Sequence, residues 1–146
     1  PPYDAFTVVE SPFMGAEGGR RDCLGQEVQV GKMLSATFHV DERGVMRCRS
    51  SSGQNQPIAF GVAAFRLRYR LREGERFFDL DADAVEKADS WSRVHAVEIC
   101  LDLRGAPIQT AAEHTYQDCA DQEAVDRARR HLVMRRLFQL RTAGDV

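Results

Sequence analysis

The sequence predicts an α+β domain that is mainly antiparallel β-sheet, and three observations carry that expectation. The first lies in Pro57 to Arg72, where Phe65, Leu67, Tyr69 and Leu71 alternate with Arg66, Arg68, Arg70 and Arg72. Successive side chains of a strand point to opposite faces, so this stretch reads as a strand with one buried face and one wet, basic face. The second is Ser92 to Arg104, where Val97, Ile99, Leu101 and Leu103 alternate with Glu98, Cys100 and Asp102. The third is that helical patterning is confined to two short stretches, Ala84 to Ala88 and Ala124 to Arg130.

The two alternating strands demand each other. Four guanidinium groups at every second residue repel unless acids sit on the neighbouring strand. Glu98 and Asp102 are those acids if the two strands pair antiparallel across the excursion from Gly74 to Ser90. On this reading Phe65, Leu67, Tyr69 and Leu71, with Val97, Ile99, Leu101 and Leu103, form the core.

The other elements follow in order. Asp4 to Glu10 is a short β-prone run stopped by Ser11-Pro12, because proline cannot donate to a ladder. Gly15 to Arg21 is a loop, and Glu27 to Val30 a candidate strand. Leu34 to Val40 alternates, Asp41-Glu42-Arg43-Gly44 turns, and Val45 to Cys48 returns, which is a β-hairpin pattern. Ser50 to Gln56 is a polar loop. Glu73-Gly74-Glu75 turns the chain into the connection Phe77 to Trp91, and Ala106 to Asp121 is irregular. Ala124 to Arg130 suits a helical turn feeding a last strand with Leu132, Met134, Phe138 and Leu140.

At 146 residues the chain is expected to be a single domain, 1–146. A net charge of -2 argues against general polyanion binding. No apolar run approaches the ~18 residues of a membrane span, and no signal peptide is recognisable. The chain opens at Pro1, as expected of a processed or truncated piece. Four cysteines, Cys23, Cys48, Cys100 and Cys119, suit two disulfides and an oxidising compartment, with three connectivities open.

Catalytic patterning is missing: there is no G-x-S-x-G, phosphate loop or H-E-x-x-H, and Ser50 to Ser52 lie beside no candidate base. The expectation is therefore a non-enzyme with no cofactor. His95 and Cys100 share the spacing of His114 and Cys119, but an offset of five puts the first pair on opposite faces of one strand, so they share no zinc there. Asp79, Asp81 and Asp83 resemble the start of a calcium loop, yet Ala84 and Ser90 stand where an EF-hand needs Gly and Glu. These three remain a candidate calcium turn. The arginines at 127, 129, 130, 135, 136 and 141 are interleaved with Asp121, Glu123 and Asp126, so nucleic-acid binding is not expected.

A resemblance adds to this. Asp22-Cys23-Leu24-Gly25-Gln26, Phe38-x-Val40-Asp41, Met46-Arg47-Cys48, Gln56-Pro57-Ile58-Ala59 and Gly61-Val62 run in the order of PilW-type minor pilins of type IV pili. Phe65 to Tyr69, the aspartate-rich turn, Trp91-Ser92-Arg93-Val94-His95-Ala96-Val97-Glu98-Ile99 and Met134-Arg135-Arg136-Leu137-Phe138 continue the series. The chain thus resembles the globular head of such a pilin, a pilin-like domain without the family's N-terminal spine helix. The resemblance implies a structural subunit that joins other minor pilins, a tip adhesin and the major pilin at the pilus tip. There it would prime assembly and support adhesion, motility or DNA uptake. It implies membrane contact only through that N-terminal helix, and residence at the bacterial inner membrane, periplasm and pilus tip. A J-type pseudopilin of type II secretion shares the layout, and a standalone ligand- or calcium-binding β-domain is the alternative of another class. In the family the D-C-L-G and L-R-C cysteines occur together, which implies Cys23–Cys48 and leaves Cys100–Cys119.

Overall fold

Strand accounts for 60% of the described residues and helix for 7%, so the fold is a small all-β one. This corrects the expected α+β class and, with it, the expected pilin-like head domain. The structure, a computed structural model, describes residues 3–10, 19–109 and 113–140. The Ser11-Pro12 stop, Gly15, Gly18 and Arg141 lie outside them. The chain divides into two compact units, Tyr3–Val62 and Ala63–Val146.

In the first unit β1 (Phe6–Glu10), β4 (Leu34–Val40), β5 (Met46–Ser50) and β6 (Asn55–Ala59) form one antiparallel sheet in the order β1-β4-β5-β6. Between β1 and β4 a two-residue pair, β2 (Arg20–Arg21) and β3 (Glu27–Val28), closes around the D-C-L-G-Q segment. Pro57 is tolerated in β6 because that strand is an edge. The Phe6 and Phe38 rings stack across β1 and β4 with centroids 5.0 Å apart, and Thr7 and Thr37 share a 2.8 Å hydroxyl bond beside them.

Two aspartates set the turns of this unit. Asp22 Oδ1 accepts the backbone N–H groups of Leu24 and Gln26, each at 2.9 Å, which orients Cys23 toward Cys48 on β5. That disulfide spans Cα atoms 6.4 Å apart. Asp41 Oδ1 accepts from Arg43 and Val45 at 3.0 Å each, and its Oδ2 takes Arg47 Nε at 2.9 Å. The Arg47 bond and the Val45 N–H hold the Asp41 carboxyl below its ordinary range. The fourth residue of the turn, Gly44, has φ of +71°, and a Cβ there would meet the Val62 carbonyl at 2.7 Å. Only glycine suits both demands.

The second unit carries a sheet ordered β12-β9-β7-β8. Its members are β7 (Val62–Glu73, whose first residue belongs to the first unit), β8 (Arg76–Leu80), β9 (Val94–Pro107) and β12 (Arg129–Gln139). The Arg strand and the Glu98 strand are neighbours, as expected. The excursion between them holds the unpredicted strand β8 and one short helix, α1 (Ala82–Lys87). Asp81 caps α1 by accepting the Ala84 N–H at 2.8 Å. Its Val85 packs with Leu71 and Val94 in a buried cluster that Tyr69, Phe78 and Leu80 border.

The second helical expectation, over 124–130, is also corrected. Residues Glu123–Asp126 form β11, paired antiparallel with β10 (His114–Gln117), which lies in the stretch read as irregular. Cross-strand pairing overrides the helix propensity of Ala124 and its arginines.

The core expectation divides in two. Phe65, Leu67 and Leu71 are buried and Tyr69 is half-buried. On β9 the prediction is overturned: Val97, Ile99, Leu101 and Leu103 are only half-buried, while Ala96, Cys100 and Asp102 on the opposite side are buried. Over Cys100 and Asp102 the cause is the β10–β11 hairpin, bound there through Cys119 and, by way of His131, Asp126.

Gly44→Ala is expected to destabilise the protein by about 1–3 kcal/mol, the cost of holding a non-glycine residue in the left-handed region, with the Val62 clash adding to it. Urea denaturation compared with Gly53→Ala checks this, because a Cβ at Gly53 meets nothing within 4 Å although φ is +85° there. Equal losses at both positions would remove the contribution assigned to the Val62 contact.

Candidate functional site

The polar side of the second sheet is a network of arginines and carboxylates. Arg70 and Asp79 stand directly opposite on β7 and β8 and bond through two parallel contacts of 2.7 and 2.8 Å. This fork geometry lowers the Asp79 carboxyl pKa and raises that of Arg70. Arg68 reaches Asp121 at 2.7 Å, and Arg135 of β12 reaches the other oxygen of Asp121 at 2.9 Å and Glu98 at 3.6 Å. Asp121 is placed for this by the hairpin turn. Asp118 Oδ1 accepts from Ala120 and Gln122, Asp121 adopts φ of +60°, and Arg135 also donates to the Asp118 carbonyl. Asp79 and Asp121 thus pair directly with Arg70 and Arg68, and Glu98 adds its charge to Arg70 while pairing with Arg135. Asp102, expected among them, is partnered elsewhere.

Asp102 lies under the hairpin with His131. Nδ1 of His131 is 2.7 Å from Asp102 Oδ1, and Nε2 is 2.9 Å from Asp126 Oδ2. The imidazole and the Asp102 carboxylate are each only 4% exposed. Each ring nitrogen thus has a carboxylate oxygen within hydrogen-bond distance. Tyr116 of β10 stacks on the ring at 4.2 Å and 13°, and its burial, followed by the negative charges of Asp102, Asp126 and Asp118, raises its phenol pKa. Asp126 Oδ1 accepts from Ala128 and Arg129 N–H, and with the His131 bond leading these hold the Asp126 pKa down to about 2. Beside this cluster Cys100 and Cys119 are joined with Cα atoms 5.7 Å apart, tying the hairpin turn to β9. Sequence reasoning missed His131. Its partnership becomes visible only once the β9–β12 register, Val133 opposite Asp102, is known.

With the polar side covered, the apolar side of β9 and β12 faces outward. Leu103 pairs with Leu132, Leu101 with Met134, Ile99 with Arg136 and Val97 with Phe138. Leu132, Met134 and Phe138 are 59%, 41% and 52% exposed. Ile99, Leu101, Met134, Arg135, Arg136 and Phe138 line an open depression of about 340 Å³ on this unit.

The remaining candidates are occupied otherwise. Asp79 belongs to Arg70 and Asp81 caps α1, so the aspartate turn does not gather its carboxylates. No cluster of three metal-ligating side chains occurs among the described residues. His95 Nε2 is buried without a hydrogen-bond partner among the described residues, with Phe77 edge-on at 5.3 Å. The Ser50 hydroxyl bonds that of Ser52 at 2.6 Å. In the arginine-rich end Arg127 pairs with Glu113, and Arg129 donates to the Gly105 carbonyl at 3.0 Å.

These features define a small all-β fold with two disulfides, Cys23–Cys48 in the first unit and Cys100–Cys119 in the second, and an apolar sheet face on the second unit open to solvent. The disulfides suit an oxidising, extracytoplasmic environment. No helix among the described residues is long and apolar enough to cross a membrane. The chain matches no protein-family model, no curated protein and no solved structure.

His131→Leu leaves the buried Asp102 carboxylate with no partner among the described residues, and is expected to cost about 3–5 kcal/mol by urea denaturation. A loss below about 1 kcal/mol would show that the pair does not hold the hairpin.

The pH dependence has a defined sign. Asp126 has a folded pKa of about 2 against an ordinary 3.8, so its contribution is whole above about 4 and is lost as pH falls toward about 2. Asp79 and Asp41, also lowered, act in the same direction. Urea midpoints followed down this range should therefore fall less steeply for Asp126→Asn than for the parent protein.

Proposed function

We propose that this chain is a structural subunit of a type IV pilus, a minor pilin of the PilW class. In this reading it joins other minor pilins, a tip adhesin and the major pilin at the pilus tip, primes fibre assembly and supports adhesion, motility or DNA uptake. The observation that carries the reading is the apolar face of β9 and β12. Its leucine, methionine and phenylalanine side chains lie in cross-strand register and remain exposed. A contiguous apolar sheet face of this kind is a surface for assembly rather than for turnover of a substrate.

The ordered motifs from Asp22-Cys23-Leu24-Gly25-Gln26 to Met134-Arg135-Arg136-Leu137-Phe138 support the particular class. Two disulfides suit passage through the periplasm to the cell surface. The calcium-binding alternative loses its support, because Asp79 and Asp81 are engaged within the fold.

Deletion of the gene in the bacterium that produces the protein tests the reading. Surface pili and twitching motility are expected to fall sharply, and crosslinking of the native protein should capture other minor pilins. Intact pili with loss of a secreted, folded exoprotein would move the chain to the J-type pseudopilins. Intact pili and intact secretion would overturn the proposal.

A further inference from the structure

We infer that β12 accepts an added β-strand from a partner protein, and that this strand carries a carboxylate opposite Arg136 between apolar residues on the same face. β12 ends the sheet order β12-β9-β7-β8, so its outer edge has no ladder partner among the described residues. It is eleven residues long, contains no proline, and keeps unbroken register with β9 from His131 to Gln139. The opposite edge, β8, has five residues. Long, regular edges invite pairing, and proteins ordinarily shorten, bulge or cover them. Here the edge presents Leu132, Met134 and Phe138 on one face, and Leu137 is 46% exposed on the other.

Arg136 decides the chemistry of the occupant. It lies in the exposed apolar series between Met134 and Phe138 and makes no ion pair or hydrogen bond among the described residues, unlike Arg135 beside it. A second copy of this chain fits poorly. Antiparallel β12 strands centred on Arg135 or Arg136 would set two Arg136 guanidinium groups diagonal to or opposite each other, and like charges there are destabilising. A heterologous strand with Glu or Asp opposite Arg136 and apolar side chains opposite Leu132, Met134 and Phe138 satisfies the edge and the charge and extends the apolar face. The inference concerns strand addition at one edge and holds whether or not the assembly is a pilus.

The probe is the end-capped peptide Val-Thr-Glu-Thr-Val-Thr-Val, labelled for fluorescence anisotropy, with a second version carrying Lys in place of Glu. The glutamate peptide is expected to bind the whole chain, and Arg136→Glu to weaken it by about tenfold or more. The lysine peptide should bind Arg136→Glu better than it binds the parent. Hydrogen exchange in the complex should slow at amides between Leu132 and Gln139. Arg136 is exposed and unpaired, so its variant should keep the parent urea midpoint, which confirms the fold. Failure of the glutamate peptide to bind at millimolar concentration, binding indifferent to the charge exchange, or protection on β8 instead of β12 would each overturn the inference. Pili lost on gene deletion beside a negative peptide result would leave the pilus reading standing and this one refuted.

Discussion

The attachment of the β10–β11 hairpin to β9 and β12 is the constraint on which the second unit depends. It is made by one covalent bond and one hydrogen-bonded cluster, Cys100–Cys119 and Asp102–His131–Asp126, with Tyr116 closing over the imidazole. Buried carboxylates are costly unless partnered, and His131 meets that demand from both ring nitrogens. The disulfide fixes the turn beside it, which lets Asp121 sit between Arg68 and Arg135. Without the hairpin the polar side of β9 would face water and its apolar side would be the natural interior. With it, the sheet is turned inside out at this end.

That inversion explains where sequence reasoning succeeds and where it stops. The strict alternation of Phe65 to Arg72 and of Val97 to Leu103 makes both strands and both sets of faces legible, and the charge on the first strand makes their adjacency legible as well. Which face of β9 lies inside is a different matter. The rule that the apolar side is the inner side holds for Phe65, Leu67 and Leu71 and fails for Val97, Ile99, Leu101 and Leu103. The covering element, His114 to Asp126, is short and polar and carries no alternation of its own, so its burial of Cys100 and Asp102 is a tertiary fact with no local signal. The helix read over Ala124 to Arg130 fails for the same reason: Ala124 to Asp126 pair with His114 to Tyr116, and Arg129 and Arg130 open β12.

The turns were more legible because their chemistry is local. Asp41 followed by Gly44 is a side-chain-capped turn whose acceptor and left-handed residue are both visible in the sequence, and the structure uses both. The cysteine pairing followed from resemblance, and the structure supplies its geometry: Asp22 shapes the loop that brings Cys23 to Cys48. The aspartate turn shows the limit of composition. Its acids looked like cation ligands, and two of them serve instead as an arginine partner and a helix cap.

The two sides of the second sheet also differ in how they spend their charges. On the covered side nearly every charge named above has an opposite within bonding distance, and the arginines that would repel one another are separated by Asp79 and Asp121. On the open side a lone guanidinium, Arg136, stands among leucine, methionine and phenylalanine. A charge in that setting costs little while water reaches it and would cost much if an uncharged apolar surface closed over it. It therefore selects against indiscriminate burial of the face, including by a second copy of the same strand, and favours an occupant that brings an acid of its own. Specificity on this surface arises from what Arg136 excludes as much as from what the apolar side chains attract.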